Sequence, residues 1–454
     1  MDYQHKNLLE DTLTRINNYL AGLENSRAFP DQDALAALDQ LDLPLPDHPT
    51  PPEQVLALLD KIGSPATTAS AGGRYFGFVT GGALPSALSA ALLAAAWDQN
   101  CFGGISSPVS ARLEEIASRW ILDLLDLPAG SAVGFVTGAT MANFTALAAA
   151  RHTFLEHQGW NVEKHGLFNA PEIKVVVGDE VHASMLKALR LVGFGSERLT
   201  RVPVDGQGRM RPDQLPDLDD RTIVCIQAGN VNSGAFDPAV EICSAARAAG
   251  AWVHVDGAFG LWGRVSNKYN HLTHGYELAD SWGMDAHKWL NVPYDSGLVI
   301  CKNPAAITAA MSTRAAYLIE SGGREPFDYV PEMSRRGRGI EVWAALYSLG
   351  RSGLAGLIER NCRQAQEFAA GLAAAGFEIL NDVVLNQVVV RFGPQDITEK
   401  VIAAVQSDGT MWAGGTTWQG KTAMRISFSS WKTTDADVEK SLAAILRIAG
   451  DKIK

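Results

Sequence analysis

Cysteine is scarce in this sequence of 454 residues, which has only five, widely spaced and mostly inside apolar runs. An odd number in such positions favours reduced core thiols in a reducing compartment over a disulfide framework or a zinc site. The N-terminus has no apolar signal core, and the most apolar run, 84–97, is shorter than the ~20 residues that a membrane-spanning helix needs. We therefore expect a cytoplasmic protein with neither a metal site nor a membrane partner.

Basic residues are fewer than acidic ones, 39 against 50. The formal net charge is −11, and there is no basic tract interleaved with aromatic residues, so nucleic acid and anionic membranes are not expected partners. Repeats and low-complexity stretches are also missing. The composition, 46% hydrophobic and 20% charged, is that of an ordinary globular protein, and the length predicts two or three domains.

The first part of the chain predicts two helices that have no core of their own. Leucine and isoleucine recur at helical spacing over 6–24, a proline-rich joint follows at 43–52, and a second short helix covers 53–62. Such an arm must pack on something else, and a partner subunit is a fair candidate.

From about residue 70, short unbroken apolar runs alternate with helical segments. This pattern predicts a mainly parallel sheet covered on both faces, with strands at 132–137, 173–178, 222–227, 252–256 and 298–301. In such a sheet the ligand lies outside the carboxyl ends of the strands. After a helix at 338–349 the pattern changes to a small α+β region, with helices at 354–375, from 396 and from 435, and strands at 377–380, 387–392, near 411 and at 424–428.

One stretch, Asp285-Ala286-His287-Lys288-Trp289, places a lysine just after a short apolar segment. Burial disfavours the ammonium form and so predicts a lowered pKa for Lys288, which would make its amine a nucleophile for an aldehyde. The alternative is a lysine whose stem packs on a core tryptophan while its charge reaches water.

Three further signals fall where predicted strands end. Thr137-Gly138-Ala139-Thr140 joins a strand to a helix, where free amides and the helix dipole suit a phosphate; an ordinary strand–helix turn is the alternative. His182 could stack on an aromatic ring, hydrogen-bond a carboxylate or transfer a proton; a histidine that caps a helix or packs in the core is the alternative. Asp256 needs a cationic or hydrogen-bonding partner, or else caps the next segment. Together with the lysine, these groups match pyridoxal 5'-phosphate, which has an aldehyde, a phosphate, a ring nitrogen and an aromatic face.

The chain then resembles a known family, the pyridoxal-phosphate-dependent group II decarboxylases of the aromatic-L-amino-acid type. The resemblance runs from about Tyr75 to the end of the chain and rests on motifs in family order: Ser107-Pro108 with Leu113-Glu114, Thr137-Gly138-Ala139-Thr140, His182-Ala183-Ser184, His254-Val255-Asp256-Gly257-Ala258 and Asp285-Ala286-His287-Lys288-Trp289. It implies an α/β fold of the aspartate-aminotransferase type (fold type I), with a mainly parallel seven-stranded sheet. The implied domains are a dimer-swapped helical arm (1–65), a large cofactor-binding domain (66–350) and a small C-terminal α+β domain (351–454). It also implies a homodimer with the active site at the interface.

The resemblance assigns roles by position. Lys288 would form the internal aldimine and Asp256 would pair with the ring nitrogen, while His182 and Ala258 would lie on the two ring faces. The phosphate would be held by the turn at Thr137 and Gly138 and by Ala139, Thr140 and His287. Asn230 or Asn232 would lie near the ring hydroxyl. Family members often have asparagine at the position of Asp285, where a carboxylate would repel the phosphate unless it is protonated or turned away.

The implied reaction is decarboxylation of an L-amino acid to the amine. The family's proton donor tends to be a loop tyrosine, and Tyr317 and Tyr329 lie in the corresponding loop; Tyr329 is the favoured one, with a packing role as the alternative. Tyr75, Phe76, Phe78 and Phe102 predict a pocket for an aromatic or other apolar side chain, unless they are core residues. The rival activities are an aldehyde-forming oxidative decarboxylase, an aminotransferase that would use Arg425 to hold the carboxylate, and a non-catalytic pyridoxal-phosphate protein.

Overall fold

The computed structural model describes residues 3–315 and 322–453. The chain forms two compact units, neither of which is continuous in sequence. The larger unit comprises Gly81–Gln366 and Leu380–Val388, and the smaller unit comprises Met1–Thr80, Glu367–Ile379 and Val389–Lys454. The expected arm, its exchange in a dimer and the boundaries at residues 65 and 350 stay predictions.

The described helices include those predicted near both ends of the chain and others, such as Pro85–Trp97 and Pro108–Leu124, that the sequence pattern did not predict. Their bounds are α1 (Tyr3–Gly22), α2 (Gln32–Ala37), α3 (Pro52–Gly63), α4 (Pro85–Trp97), α5 (Pro108–Leu124), α6 (Ala139–His157), α7 (Val162–His165), α8 (Ala183–Val192), α9 (Ala239–Ala249), α10 (Pro304–Met311), α11 (Arg338–Ala374), α12 (Gln395–Asp408) and α13 (Asp435–Ile453). The helix α11 is two helices joined at Gly350, whose backbone has φ 59° and ψ 179°. Glycine tolerates this φ without a steric penalty, so the break falls between the two helices that the sequence predicts.

A seven-stranded sheet lies in the larger unit. Its strands are β1 (Ala132–Val136), β2 (Lys174–Gly178), β3 (Leu199–Val202), β4 (Thr222–Gln227), β5 (Trp252–Asp256), β6 (Ser281–Asp285) and β7 (Gly297–Cys301). The spatial order is β1-β7-β6-β5-β4-β2-β3. The strand β7 is antiparallel to both of its neighbours, and the other pairs are parallel. The predicted seven-stranded, mainly parallel sheet is confirmed.

Two of these strands lack the unbroken apolar run that marks the others. The strand β3 forms the sheet edge and is largely exposed. The strand β6 contains serine, glycine and aspartate, yet all its residues are buried because it lies between β5 and β7. These two segments therefore form strands because they pair with neighbouring strands in the sheet, and their own sequence does not mark them as strands.

A second sheet has four strands, β8 (Glu378–Ile379), β9 (Gln387–Arg391), β10 (Gly414–Trp418) and β11 (Lys421–Ser427). Their order is β10-β11-β9-β8. The strand predicted near Met411 is present as β10, but it begins further along, at Gly414. The reason is that Trp412 forms an isolated bridge with Tyr75 instead of pairing with β11.

Two other findings concern the chain as a whole. The five cysteines are buried free thiols, which confirms their prediction as core residues. In the described part of the chain, no helix is long and apolar enough to cross a membrane.

Candidate active site

The site forms at the edge of the larger sheet where the parallel strands end. The strand β5 ends at Asp256 and the neighbouring strand β6 ends at Asp285, and the two strands are paired in register. The loop after β5 continues this alignment, because the amide of Asp285 donates to the carbonyl of Ala258 at 2.9 Å. Asp256 pairs with Gly283, so Asp285 lies two residues further along, and both carboxylates reach the edge where a parallel sheet binds its ligand.

Lys288 follows β6 and faces this edge. Its Nζ atom lies 2.8 Å from Oδ2 of Asp285, and 18% of its side chain is exposed. Burial lowers the pKa of the Lys288 amine, but the charges of Asp285 and Asp256 raise it by a larger amount. The pKa therefore lies above its ordinary value. The predicted lowering of this pKa was wrong, because the lysine has a carboxylate partner that the burial argument left out.

The side chain of Asp285 also contacts the N-terminus of α6. Its Oδ1 atom accepts a hydrogen bond of 2.5 Å from the amide of Ala139 and lies 3.5 Å from Nε2 of His287. Burial raises the pKa of Asp285, but the charge of Lys288 and the hydrogen bonds from Lys288 and the Ala139 amide outweigh burial and lower it. The carboxylate is therefore ionised and directed into the site, neither protonated nor turned away.

The turn before α6 is a cradle for a small anion. A Cβ atom on Gly138 would lie 3.1 Å from both Oδ1 of Asp285 and Cε1 of His287, so only glycine leaves this space open. Thr137 and Thr140 are partly exposed beside it. The first amides of a helix have no partner within the helix, and its dipole favours an anion there.

His287 is held by a hydrogen bond to its ring nitrogen and by stacking on one face of its ring. Its Nδ1 atom accepts a hydrogen bond of 3.1 Å from the amide of Ser296, and its ring stacks on Tyr294 with the centroids 4.3 Å apart. Burial lowers the pKa of His287, against the charge of Asp285. The neutral ring then carries its proton on Nε2, which can donate to an anion at the turn.

Asp256 is buried at the centre of this edge. Its Oδ1 atom accepts from the amide of Ala258 at 3.3 Å, and its Oδ2 atom accepts from Nδ2 of Asn143 at 3.4 Å. Burial raises the pKa of Asp256, while the charges of His182 and Lys288 act to lower it. A buried carboxylate in this position is best stabilised by a cation. Ala258 is partly exposed beside it.

His182 caps the helix α8, as the alternative interpretation of its sequence position predicted. Its Nδ1 atom accepts hydrogen bonds from the amide of Ser184 at 3.2 Å and from its hydroxyl at 2.7 Å. The cap places the ring proton on Nε2 and fixes the ring orientation. His182 also lies close enough to Asp256 to influence its pKa, so the capping residue belongs to the site as well.

Asn230 and Asn232 follow β4 and are both buried. The Oδ1 atom of Asn230 accepts from the amides of Asn232 and Ser233. Among the described residues, the buried Nδ2 atom of Asn230 has no hydrogen-bond partner. An unpaired buried donor is costly, and it suits an oxygen acceptor such as a ring hydroxyl group.

Residues 35–393 match the protein family described as "Pyridoxal-dependent decarboxylase conserved domain". The chain belongs to this family. The expected family, cofactor and enzyme class are thereby confirmed: the decarboxylase is a carboxy-lyase that depends on pyridoxal phosphate.

Relatives of the decarboxylase differ in the reaction that their names state. Tyrosine decarboxylase 2 from Narcissus pseudonarcissus is 25% identical over 426 residues, which cover 87% of this chain and 84% of that protein. Phenylacetaldehyde synthase from Arabidopsis thaliana is 26% identical, covering 87% of this chain and 86% of that protein. The crystal structure of Oryza sativa TDC with PLP and tryptamine has a TM-score of 0.92 at 20% identity, covering 100% of this chain and 99% of that one. At this identity the structural likeness shows the fold alone, and it confirms the predicted fold type.

The residues present in the decarboxylase fit its cofactor. The glycine cradle before α6 suits the phosphate, the buried Asp256 suits a protonated ring nitrogen, and the unpaired amide of Asn230 suits the ring oxygen. Lys288 supplies an amine that is partly exposed at the same edge. The one unexpected group is the ionised Asp285, which lies at the helix N-terminus beside the cradle.

Tyr329 packs against the hydrophobic core of the larger unit. It lies on a short 3₁₀ turn, Pro326–Tyr329, with Cζ of Arg324 3.9 Å from the centre of its ring. The ring packs against the hydrophobic core cluster that includes Val330. These contacts are those of a packing side chain, so its role as proton donor stays a prediction. The other loop tyrosine, Tyr317, lies outside the described residues.

Sequence reasoning missed three residues of the site. Tyr294 stacks on His287 and is close enough to Lys288 to raise the pKa of that amine. Asn143 and His254 form hydrogen bonds behind Asp256. The available signals were weak: Tyr294 follows the lysine in a proline-containing turn, and Asn143 interrupts an alanine-rich helix.

Proposed function

We propose that this decarboxylase converts an L-amino acid with an aromatic or other apolar side chain to the amine and CO2, with Lys288 as the amine that binds the cofactor's aldehyde. One observation carries the proposal. Asp256 and Lys288 lie at a single strand edge, where each shifts the pKa of the other and His182 also shifts the pKa of Asp256. Groups whose pKa values are perturbed by such neighbours mark functional sites.

Each side chain then has one task. The cofactor, when bound, takes up the electron pair left by the broken Cα–carboxylate bond. Asp256 holds a proton on the ring nitrogen, and His182 covers the ring face on the substrate side. Ala139, Thr140 and His287 bind the phosphate at the turn formed by Thr137 and Gly138. Asn230 donates to the ring oxygen, Ala258 supports the second ring face, and Asn232 holds Asn230 in place.

The substrate class rests on the names of relatives. Two relatives, named after tyrosine and phenylacetaldehyde, point to aromatic side chains. Phe78 is 60% exposed, and its ring packs on that of Trp412 with the centroids 5.4 Å apart. Tyr75 stacks on Trp412 at 5.0 Å and Phe76 is buried, so these two are core residues, as the alternative interpretation predicted. Phe102 packs on Phe327.

We also propose a cytoplasmic homodimer. Apolar side chains are exposed on α1 and α3, including Leu9, Leu13 and Leu59. The helix α4 has no charged residue, and Leu93 and Trp97 on it are exposed. Large exposed apolar surfaces mark protein interfaces. Deleting residues 1–60 should therefore abolish dimerisation in sedimentation experiments, and a soluble, fully active truncated monomer would contradict the proposed dimer.

Product analysis tests the proposed reaction. The purified protein is mixed with pyridoxal phosphate and a panel of L-amino acids, and mass spectrometry follows amine, aldehyde and 2-oxo acid together. An amine with CO2 and without oxygen uptake supports the proposal, provided that Lys288→Ala forms none. A 2-oxo acid would contradict it and identify an aminotransferase.

A second candidate is the aldehyde-forming reaction, because phenylacetaldehyde synthase is as similar to this chain as the decarboxylase from Narcissus. In that reaction the amino acid, O2 and water give aldehyde, CO2, ammonia and hydrogen peroxide. Oxygen uptake equal to the aldehyde formed would identify it in the same experiment.

A further inference from the structure

A continuous chain of hydrogen bonds runs from the sheet interior to Asp256. Trp252 Nε1 donates to Ser281 Oγ at 2.8 Å, and Ser281 Oγ lies 2.9 Å from His254 Nδ1. His254 Nε2 lies 3.0 Å from Asn143 Oδ1, and Asn143 Nδ2 donates to Asp256 Oδ2 at 3.4 Å. All five side chains are buried, so water does not compete for these bonds.

The direction of this chain follows from its last member. A carboxylate can only accept, so Asn143 donates through Nδ2 to Asp256 and presents Oδ1 to His254, whose Nε2 atom must therefore carry a proton. His254 is neutral, because burial lowers its pKa to about 3. Its Nδ1 atom then carries no proton and accepts from Ser281 Oγ, which in turn accepts from the indole of Trp252. Every bond therefore donates toward the carboxylate.

The orientation of Asn143 follows as well. A flipped amide would place Oδ1 against the Asp256 carboxylate and Nδ2 against the Nε2 proton of His254, and both contacts would be repulsive. Only the described orientation gives each atom a partner. The amide also needs the space left by Gly283, where a Cβ atom would collide with Asn143 Oδ1.

We propose that Asn143 and His254 are positioning residues that hold the Asp256 carboxylate toward the cofactor's ring nitrogen and strengthen its grip on the proton there. This inference rests on the proposed function, in which Asp256 pairs with that nitrogen. Hydrogen bonds that all donate in one direction polarise one another. They also fix the rotamer of the carboxylate. This hydrogen-bond relay consists of Trp252, Ser281, His254, Asn143 and Asp256. It sets how well the ring nitrogen keeps its proton, although only its last residue, Asp256, touches the cofactor.

The test compares two cofactors on two variants. Asn143→Leu keeps the approximate shape of the side chain but removes the donor to Asp256. Thr145→Val is the matched control, because it removes a buried hydrogen bond on the same helix, from Thr145 Oγ1 to the carbonyl of Met141. Each apoprotein is titrated with pyridoxal phosphate and with an analogue in which carbon replaces the ring nitrogen.

The measured quantity is the ratio of the two dissociation constants, without substrate. The original protein should prefer pyridoxal phosphate, and Asn143→Leu should reduce this preference about ten-fold, as expected for losing a hydrogen bond to a charged group. Thr145→Val should leave the ratio unchanged. If Asn143→Leu weakens both cofactors equally, its role is merely structural and the relay is overturned.

A second variant covers the case in which Asn143→Leu fails to fold. Ser281→Ala breaks the relay at the hydrogen bond between Ser281 and His254 and leaves Asn143 in place. It should reduce the same ratio by a smaller factor, and an unchanged ratio in a folded Ser281→Ala protein would contradict the relay. The proposed function fails separately, if the original protein shows no preference for the ring nitrogen or does not bind pyridoxal phosphate.

Discussion

The Oδ2 atom of Asp285 lies 2.8 Å from the Nζ atom of Lys288, while the other oxygen of the same carboxylate accepts from the amide of Ala139. One carboxylate thus contacts both the amine that is proposed to bind the cofactor's aldehyde and the helix end that is proposed to bind its phosphate. A cofactor bound as proposed would therefore meet Asp285 at both of its ends. This arrangement couples the two ends of the cofactor site.

The first prediction concerns the stability of the apoprotein. Asp285→Asn should lower the free energy of unfolding near neutral pH by about 3 kcal/mol, because it removes the carboxylate that forms the ion pair with the largely buried Lys288. Chemical denaturation measures this loss. The double variant Asp285→Asn/Lys288→Met should recover part of it, since the unpaired charge is then removed.

The same pair predicts a pH dependence. The pKa of Asp285 is lowered in the folded protein, so its contribution is present above the ordinary carboxyl pKa and is lost as pH falls through the lowered value. The pKa of Lys288 is raised, so its contribution is present below the ordinary lysine pKa and is lost as pH rises through the raised value. The stability difference between Asp285→Asn and the original protein should therefore shrink at both extremes. A difference that is constant across this range would contradict the ion pair.

The second prediction concerns phosphate binding. Asp285→Asn should bind pyridoxal phosphate more tightly, because an ionised carboxylate beside the helix N-terminus repels the phosphate. Pyridoxal without the phosphate serves as the reference, since it too gains from the released lysine. Fluorescence titration should show the preference for pyridoxal phosphate over pyridoxal rising about ten-fold, a change of roughly 1.4 kcal/mol. An unchanged preference would mean that the phosphate does not meet Asp285.

The third prediction concerns Asp256. Asp256→Asn should reduce kcat by roughly 10²–10³, as for the loss of one charged group aimed at the reacting system. Asp280→Asn is the control. Its carboxylate accepts from the amide of Val253 at 2.9 Å, at the opposite end of the same pair of strands. Activity assays should show a large loss for the first variant and nearly full activity for any folded fraction of the second.

The fourth prediction concerns the proton donor to Cα. Tyr294 stacks on His287, is 56% exposed and acts on Lys288, whereas Tyr329 packs under Arg324. Tyr294→Phe should therefore lower the ratio of amine to aldehyde, while Tyr329→Phe should change stability more than this ratio. Product analysis with oxygen uptake measures both. The opposite result would restore Tyr329, the residue that the family resemblance favours, as the donor.

Much of the fold could be predicted because apolar runs mark buried strands. The strand β5 coincides with its predicted range, 252–256, and β4 coincides with 222–227. The strand β6 could not be predicted in this way, since serine, glycine and aspartate become buried only between two neighbouring strands. Asn143 was missed for a similar reason. Its partners Asp256 and His254 lie more than a hundred residues further along the chain.

The sequence by itself determined which residues are candidates for the chemistry, because Asp256, His182 and the turn at Gly138 follow predicted strands of one sheet and Lys288 follows a short apolar segment. Only the tertiary structure decided their charge states and hydrogen-bond directions. Burial alone would give Lys288 a lowered pKa, but a carboxylate at 2.8 Å reverses the sign. That balance depends on distances of a few ångströms between side chains, and periodicity along the chain does not encode such distances.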